Sequence, residues 1–193
     1  MTYGDAMSQN LDNFRAALDV FRSVADRMPA DAWDNQSCCS EWTAKEAAGH
    51  ASWVLQSVAA GAAGTEAPAQ ATEAEVAGDD PAATMRSSAD AAQAAVEAAD
   101  PAKVIPSPFG EMPIDDFLGI IFADTTTHAW DVADAGGIDS GITPEFAETT
   151  RAALAPMEDT LRSLGAFGPA LPEPADDPLG AFIAFAGRHS VNA

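Results

Sequence analysis

The sequence has few cysteines, few basic side chains and no long apolar run, and each shortage excludes a class of protein. Its 193 residues include only two cysteines, the adjacent Cys38 and Cys39, so it lacks the disulfide framework of small secreted domains. Nine Lys and Arg residues stand against 30 Asp and Glu residues, which gives a net charge of −21. Because nucleic acids and anionic membranes are bound through clustered basic side chains, we expect neither as a partner.

The remaining composition indicates a cytoplasmic helical protein. No apolar stretch approaches the roughly 18 residues that a membrane-spanning helix needs. The first residues lack the basic segment followed by an apolar one that is typical of a secretory signal. At this length the chain fits one domain, residues 1–193, and its hydrophobic content of 47% is sufficient for a sizeable core. Much of that content is alanine, a strong helix former.

Apolar residues recur at steps of three and four along most of the chain, a spacing that predicts amphipathic helices. Leu11, Phe14 and Leu18 begin such a stripe, and the pair Thr43 and Glu46 fits a capping box at the start of the second helix. We expect a kink at Pro156 in the fifth helix. The predicted helices cover residues 6–28, 43–60, 81–99, 114–135, 143–164 and 178–186.

The segments between these helices are predicted to be loops. Residues 61–80 are acidic and rich in Ala, Gly and Pro, which predicts a mobile loop, and residues 101–113 carry four prolines, which predicts a connector. No stretch shows the period-two alternation typical of strands. The sequence therefore predicts an all-α protein, a bundle of four core helices with C-terminal helical additions.

Three polar residues interrupt the predicted apolar faces and form a candidate metal site. Asp124 and His128 lie four residues apart, hence on one face of the fourth helix, and His50 lies on the inner face of the second helix. Two histidines and a carboxylate suit Zn²⁺, Ni²⁺ or Fe²⁺ and leave coordination positions open. The alternative is a hydrogen-bonded histidine beside a helix carboxylate.

Other residues have weaker candidate roles. Asp131, one turn after His128, is predicted to accept a hydrogen bond from an imidazole N–H and so orient it, or else to be a buried carboxylate bonded to a neighbouring helix. Lys45 and Arg188 are scarce positive charges that either bind an anionic substrate group or form surface ion pairs. Cys39 has no basic group near it in sequence, so a small buried residue is favoured over a nucleophile.

Several short motifs resemble one known family. The segment Cys39–Lys45, followed by His50, resembles the pattern C-x-G-W-[ST]-V-[RK]-[DE]-L-x-x-H of the DinB-like superfamily. Residues 109–113 and 124–133 resemble the F-G-x-x-P and D-x-x-x-H-x-W-D-L-A segments of its actinobacterial metal-binding branch. That branch is related to mycothiol-dependent maleylpyruvate isomerase. Asp124 stands where the isomerase has Glu, and Glu41 stands where the pattern has Gly.

The resemblance implies a DinB-like four-helix bundle with zinc or nickel held by His50, Asp124 and His128. Some relatives use such a metal to activate the thiol of a low-molecular-weight cofactor such as mycothiol or bacillithiol. The implied function is therefore thiol S-transfer or isomerisation of an electrophilic small-molecule substrate. Two alternatives stay open: a non-catalytic bundle that binds a small ligand or a protein, and a metal-assisted hydrolase with Asp131 or Glu41 as base. A homodimer is compatible with the bundle, although no residue demonstrates it.

Overall fold

Four long helices and a set of shorter elements make up the fold. The structure, a computed structural model, describes residues 3–192, with side chains from residue 9 onward. The elements, in chain order, are α1 Tyr3–Arg27, α2 Ala44–Ala63, α3 Glu73–Ala77, α4 Pro81–Ala98, β1 Val104–Ser107, β2 Gly110–Pro113, α5 Ile114–Ala135, α6 Pro144–Leu154, a 3₁₀ turn Ala155–Met157, α7 Glu158–Ser163 and α8 Pro178–Phe185.

The four long helices form a closed ring of neighbours around one apolar core. Helix α1 packs against α4 and α5, and α2 packs against the same two helices from the other side. The core contains fully buried side chains from all four helices, and each large one contributes about 1.5–3 kcal/mol by leaving water. These side chains include Phe14, Leu18 and Phe21 of α1, Leu55 and Val58 of α2, Met85 of α4, and Phe122 and Val132 of α5. Helix α6 covers part of α5, and α8 packs on α6. The predicted all-α bundle with C-terminal helices is confirmed.

The predicted capping box opens α2. The backbone N–H of Glu46 donates to the Thr43 hydroxyl at 3.3 Å, and the Thr43 N–H donates to the Glu46 carboxylate at 2.8 Å. Both bonds satisfy backbone donors that a helix start otherwise leaves unpaired, a contribution of about 1 kcal/mol. The cap fixes the point at which the loop ends and α2 begins, seven residues before His50.

The sequence predicted a loop over residues 61–80, but part of this segment is helical. It contains α3, which begins with its own capping box at Thr72 and Glu75. This helix packs on α2 where Gly49 leaves room, because a Cβ at Gly49 would lie 1.9 Å from the Glu73 carbonyl oxygen. A five-residue helix is too short to produce a periodic pattern, so the sequence analysis missed it.

The segment 101–113 also differs from the prediction. Strands β1 and β2 pair as an antiparallel hairpin, with Val104 opposite Pro113 and Ser107 opposite Gly110. Prolines are tolerated because a two-stranded hairpin consists only of edges, where an N–H can be missing without breaking a ladder. The buried Ile105 anchors the hairpin beside α2, against Gly61.

The fifth predicted helix is interrupted rather than merely kinked. Pro156 lies in the 3₁₀ turn that separates α6 from α7. Proline has no N–H to donate and its ring clashes with the preceding turn, so the α-helical ladder stops there. Across residues 3–192, no helix combines the length and the apolar character needed to cross a bilayer.

Candidate metal centre

Helix α5 carries two of the three candidate ligands. Asp124 and His128 lie one turn apart, with the His128 Nε2 atom 3.7 Å from Asp124 Oδ1. The threonines between them are buried, and the hydroxyls of Thr126 and Thr127 donate to backbone carbonyls one turn earlier at 2.7 and 2.8 Å. The helix therefore satisfies these two threonine hydroxyls itself, and its candidate ligands remain directed toward α2.

Helix α2 supplies the third candidate ligand. One donor atom from each of His50, Asp124 and His128 lies within 4.8 Å of the others. The two imidazole rings meet edge to face, with centroids 4.9 Å apart. The His128 side chain is 8% exposed and that of Asp124 is 34% exposed. The group is therefore open to solvent on the Asp124 side and closed behind His128.

Trp42 fixes the orientation of His50. Its indole stacks on the His50 imidazole with ring centroids 4.6 Å apart and planes inclined by 30°. It also touches His128, with centroids 5.9 Å apart. In the sequence, Trp42 stands only as part of the Cys39–Lys45 motif, with no indication of a contact to the histidines. The structure places it in van der Waals contact with both histidines, where it restricts their rotation.

Asp131 sets the tautomer of His128. The His128 Nδ1 atom lies 2.9 Å from Asp131 Oδ2. Because an ionised carboxylate only accepts, Nδ1 carries the proton and the Nε2 atom is left facing Asp124. The sequence left two roles open for Asp131, an orienting contact to an imidazole or a buried carboxylate bonded to another element, and Asp131 makes contacts of both kinds, to His128 and to Arg188. Its role toward a metal ligand stays a prediction.

Their surroundings shift the pKa values of the two histidines in opposite directions. Burial lowers the pKa of His128, but the negative charges of Asp124 and Asp131 outweigh it, so the pKa lies above its ordinary value. Burial lowers the pKa of His50, and the neighbouring His128 lowers it further. His50 is therefore held neutral, the state that a metal ligand needs.

The Asp124 carboxylate provides a test of whether the three residues fit a metal. Its Oδ2 atom is buried and has no hydrogen-bond partner among the described residues. A buried carboxylate oxygen without a partner is costly, and a bound cation or a water molecule relieves this cost. With metal–ligand bonds of about 2.0–2.2 Å, tetrahedral ligand atoms lie roughly 3.3–3.6 Å apart. The 3.7 Å between His128 Nε2 and Asp124 Oδ1 is near that value, so this pair fits a divalent metal with a small contraction, and the His50 donor lies within 4.8 Å of both.

Behind His128 lies a polar cluster that the sequence analysis did not foresee. Arg188 Nε donates to Asp131 Oδ1 at 2.8 Å, and both side chains are almost wholly buried, 8% and 0% exposed. Cys38 and Cys39 lie 2.9 and 3.4 Å from the two oxygens of the same carboxylate. The Arg188 guanidinium also lies 3.8 Å from Cys39 Sγ. The two residues are 149 positions apart in the chain, so no local sequence pattern could have indicated their contact.

The charges of this cluster are strongly coupled. Burial raises the pKa of Asp131, but the Arg188 charge and the His128 hydrogen bond outweigh it and hold the pKa well below its usual range. Hydrogen bonding between the two thiols raises the pKa of Cys38 and lowers the pKa of Cys39. Asp131 is therefore ionised at neutral pH, as its role toward His128 requires.

The other candidate residues are outside the group of His50, Asp124 and His128. Arg188 is not at the surface, and its guanidinium is held by Asp131. Lys45 is half-buried in the first turn of α2, where its N–H donates to the Trp33 carbonyl at 2.9 Å. Glu41 and His189 are exposed.

Comparison with known proteins identifies the family of this chain. The family model of the DinB superfamily matches residues 13–132, a stretch that contains His50, Asp124 and His128. Two proteins of Mycobacterium tuberculosis are each 31% identical to the chain over 175 residues, which is 89% of this chain and 93% of each relative: Uncharacterized protein MT0763 of strain CDC 1551 / Oshkosh and Uncharacterized protein Rv0738 of strain ATCC 25618 / H37Rv. No solved structure gives a significant match. The chain belongs to the DinB superfamily, a superfamily of metal-binding proteins.

Proposed function

We propose that this protein is a metal-dependent enzyme that uses a low-molecular-weight thiol of the mycothiol type to attack an electrophilic small molecule. His50, Asp124 and His128 hold the divalent ion, with zinc as the first candidate. The observation that carries the proposal is the convergence of one donor atom from each of these three residues, together with an Asp124 Oδ2 atom that has no hydrogen-bond partner among the described residues. The thiol chemistry rests on the resemblance to the mycothiol-dependent branch.

A bound divalent ion supplies Lewis acidity, which lowers the pKa of a coordinated thiol so that the nucleophilic thiolate forms at neutral pH. The protein's own residues prepare the site for it. Asp131 holds the Nδ1 proton of His128 and directs Nε2 toward Asp124. Trp42 covers one face of His50 and keeps water from that side. The exposed edge of Asp124 leaves the approach open for a substrate.

The hydrolytic alternative has less support in the geometry. A general base must be free to accept a proton within hydrogen-bond reach of the attacking water. Both oxygens of Asp131 are engaged, one by Arg188 and one by His128. Glu41 is exposed to solvent and lies outside the group of donor atoms formed by His50, Asp124 and His128. A thiol that brings its own nucleophile needs no such base.

Metal content tests the ligand assignment. We expect the site of His50, Asp124 and His128 to hold about one equivalent of zinc or nickel in protein purified without added metal or chelator, measured by elemental mass spectrometry. His50→Ala and His128→Ala should lose it, because each removes one of three ligands. His189→Ala is the matched control, since it removes an exposed histidine outside the group, and it should keep the metal. Folded His50→Ala and His128→Ala proteins with full metal content would show that the ligands lie elsewhere.

Thiol consumption tests the proposed chemistry. We expect the metal-loaded protein to accelerate loss of mycothiol or bacillithiol in the presence of an epoxide, an activated halide or an α,β-unsaturated carbonyl. Asp124→Asn should abolish this acceleration, because a neutral amide is a poor metal ligand. Asp116→Asn, on the exposed face of the same helix, should leave it unchanged. Turnover of a substrate without any thiol would favour hydrolysis, and metal-loaded protein with no turnover would favour the non-catalytic binding function.

A further inference from the structure

A second group of metal-binding atoms lies on the other side of the His128–Asp131 pair. Cys38, Cys39 and Asp131 each direct one donor atom into a space where the three atoms lie within 4.8 Å of one another. Both thiols contact the carboxylate, Cys38 Sγ at 2.9 Å from Oδ1 and Cys39 Sγ at 3.4 Å from Oδ2. This group shares no residue with His50, Asp124 and His128.

The loop that carries the thiols is tightly held, so their position is not accidental. An isolated β-bridge joins Gln36 to Thr43 at the base of the loop. Inside it, the Trp42 N–H donates to the Cys39 carbonyl at 2.8 Å, and the Ser37 hydroxyl donates to the Trp42 carbonyl at 2.7 Å. The Gln36 amide donates to the Cys39 and Trp42 carbonyls at 3.1 and 2.8 Å. A loop closed by this many bonds presents two adjacent thiols in a fixed arrangement.

The charges of the cluster suit replacement of two protons by a divalent cation. Asp131 and Arg188 form a buried pair whose charges cancel, and both thiols carry the protons that they donate to the Asp131 carboxylate. If both thiols lose a proton, they add two negative charges, which a divalent cation compensates in full. The net charge of this largely buried cluster then stays the same, so no uncompensated charge has to be buried. The oxygen lone pairs that had accepted from the thiols become available to the cation.

We propose that Cys38, Cys39 and Asp131 form a second metal site, selective for a thiophilic divalent cation such as Zn²⁺ or Cd²⁺. Binding breaks two S–H bonds, releases two protons to solvent and forms two sulfur–metal bonds, with no change of oxidation state. Soft thiolates exclude hard cations such as Mg²⁺ and Ca²⁺. Both cysteines are only partly buried, so an ion can reach them from solvent. The site is independent of the thiol chemistry proposed above.

Cadmium titration of the wild-type protein tests this site directly. Thiolate–cadmium bonds absorb in the ultraviolet by charge transfer, and the chain has only two cysteines, so any such band must come from Cys38 and Cys39. We expect the band to saturate with Cd²⁺ in protein kept reduced by a phosphine, and to resist excess Mg²⁺. Its amplitude per protein should not fall on dilution, which distinguishes a site within one chain from cadmium bridging two chains. Absence of the band, or its loss on dilution, would overturn the proposal.

Variants separate this site from the first one. Loss of an outer partner of a ligand already weakens metal binding about 10- to 100-fold, so Cys38→Ser and Cys39→Ser should each weaken cadmium binding by about 100-fold or more. His50→Ala should keep the charge-transfer band while it loses the metal of the first site. A band that disappears in His50→Ala and persists in the cysteine variants would overturn the proposal. Failure of the first site alone would leave the band unchanged.

Discussion

Asp131→Asn is expected to lower the free energy of unfolding by about 3–5 kcal/mol, because it leaves the buried Arg188 guanidinium without a counter-charge. The asparagine keeps the volume of the aspartate, so no cavity contributes. Its NH₂ group would also meet donors from two sides, since Arg188 and His128 both donate to this carboxylate. Equilibrium denaturation with urea gives the change, provided that the slope with denaturant stays the same.

A double-mutant cycle separates the ion pair from other effects at the same position. Arg188→Met alone should also be strongly destabilising, but the double variant should lose less than the sum, because both charges are then absent. Glu173→Gln is the control for an ordinary ion pair. The side chains of Glu173 and its partner Arg151 are 38% and 40% exposed. Such an exposed ion pair contributes less than about 1 kcal/mol to the free energy of unfolding. Strictly additive losses at Asp131 and Arg188 would mean that the two side chains do not stabilise each other.

The ion pair between Asp131 and Arg188 makes the stability loss of Asp131→Asn dependent on pH. The pKa of Asp131 is depressed in the folded protein, while an aspartate in the unfolded chain has a pKa of about 3.9. The stabilisation is therefore fully present at pH values above the unfolded pKa and disappears as the pH falls through it toward the folded value. The difference in stability between the wild-type protein and Asp131→Asn should shrink over that acidic range.

The parts of the fold that the sequence predicts are those that depend on local patterns. The stripe of Leu11, Phe14 and Leu18 identified α1, and the Thr43 capping box identified the start of α2. Asp124 and His128 were recognisable as a pair because four residues make one turn of a helix. His50 could be added because it is a polar residue on the inner face of a helix that had to pack in the same bundle.

The parts that sequence analysis missed depend on contacts between distant segments. Arg188 reaches Asp131 across 57 residues, and nothing near either residue indicates the pairing. Because Arg188 is distant from Cys39 in sequence, Cys39 had no basic neighbour there and was interpreted as a small buried residue. Helix α3 was missed for another reason, since it is visible only through the close approach that Gly49 permits.

Gly187 is the residue that brings Arg188 into position. It follows α8 in the left-handed region, with φ of 71°. Its N–H donates to the Ala184 carbonyl, and the Arg188 N–H donates to the Ile183 carbonyl, the two bonds of a Schellman motif. A Cβ at Gly187 would lie 2.5 Å from the backbone of Gly168. The turn therefore needs glycine both for its dihedral angle and for its contact with the facing chain.

Gly187→Ala should consequently destabilise the protein by roughly 2–5 kcal/mol. About 1–2 kcal/mol comes from the left-handed backbone and about 1–3 kcal/mol from the overlap with Gly168. Gly137→Ala is a closely matched control. Gly137 ends α5 in the same kind of motif with φ of 64°, but no atom of the described residues lies within 4 Å of where its Cβ would be. Gly137→Ala should therefore show only the loss of about 1–2 kcal/mol that comes from the left-handed backbone.

The difference between these two variants measures the close contact alone, because the dihedral penalty is common to both. If the contact also aims Arg188 at Asp131, Gly187→Ala combined with Asp131→Asn should lose less stability than the two single losses added together. Gly137→Ala combined with Asp131→Asn should lose their simple sum, since Gly137 does not carry the arginine. Equal behaviour of the two glycine variants in this comparison would mean that Arg188 reaches Asp131 without help from the turn.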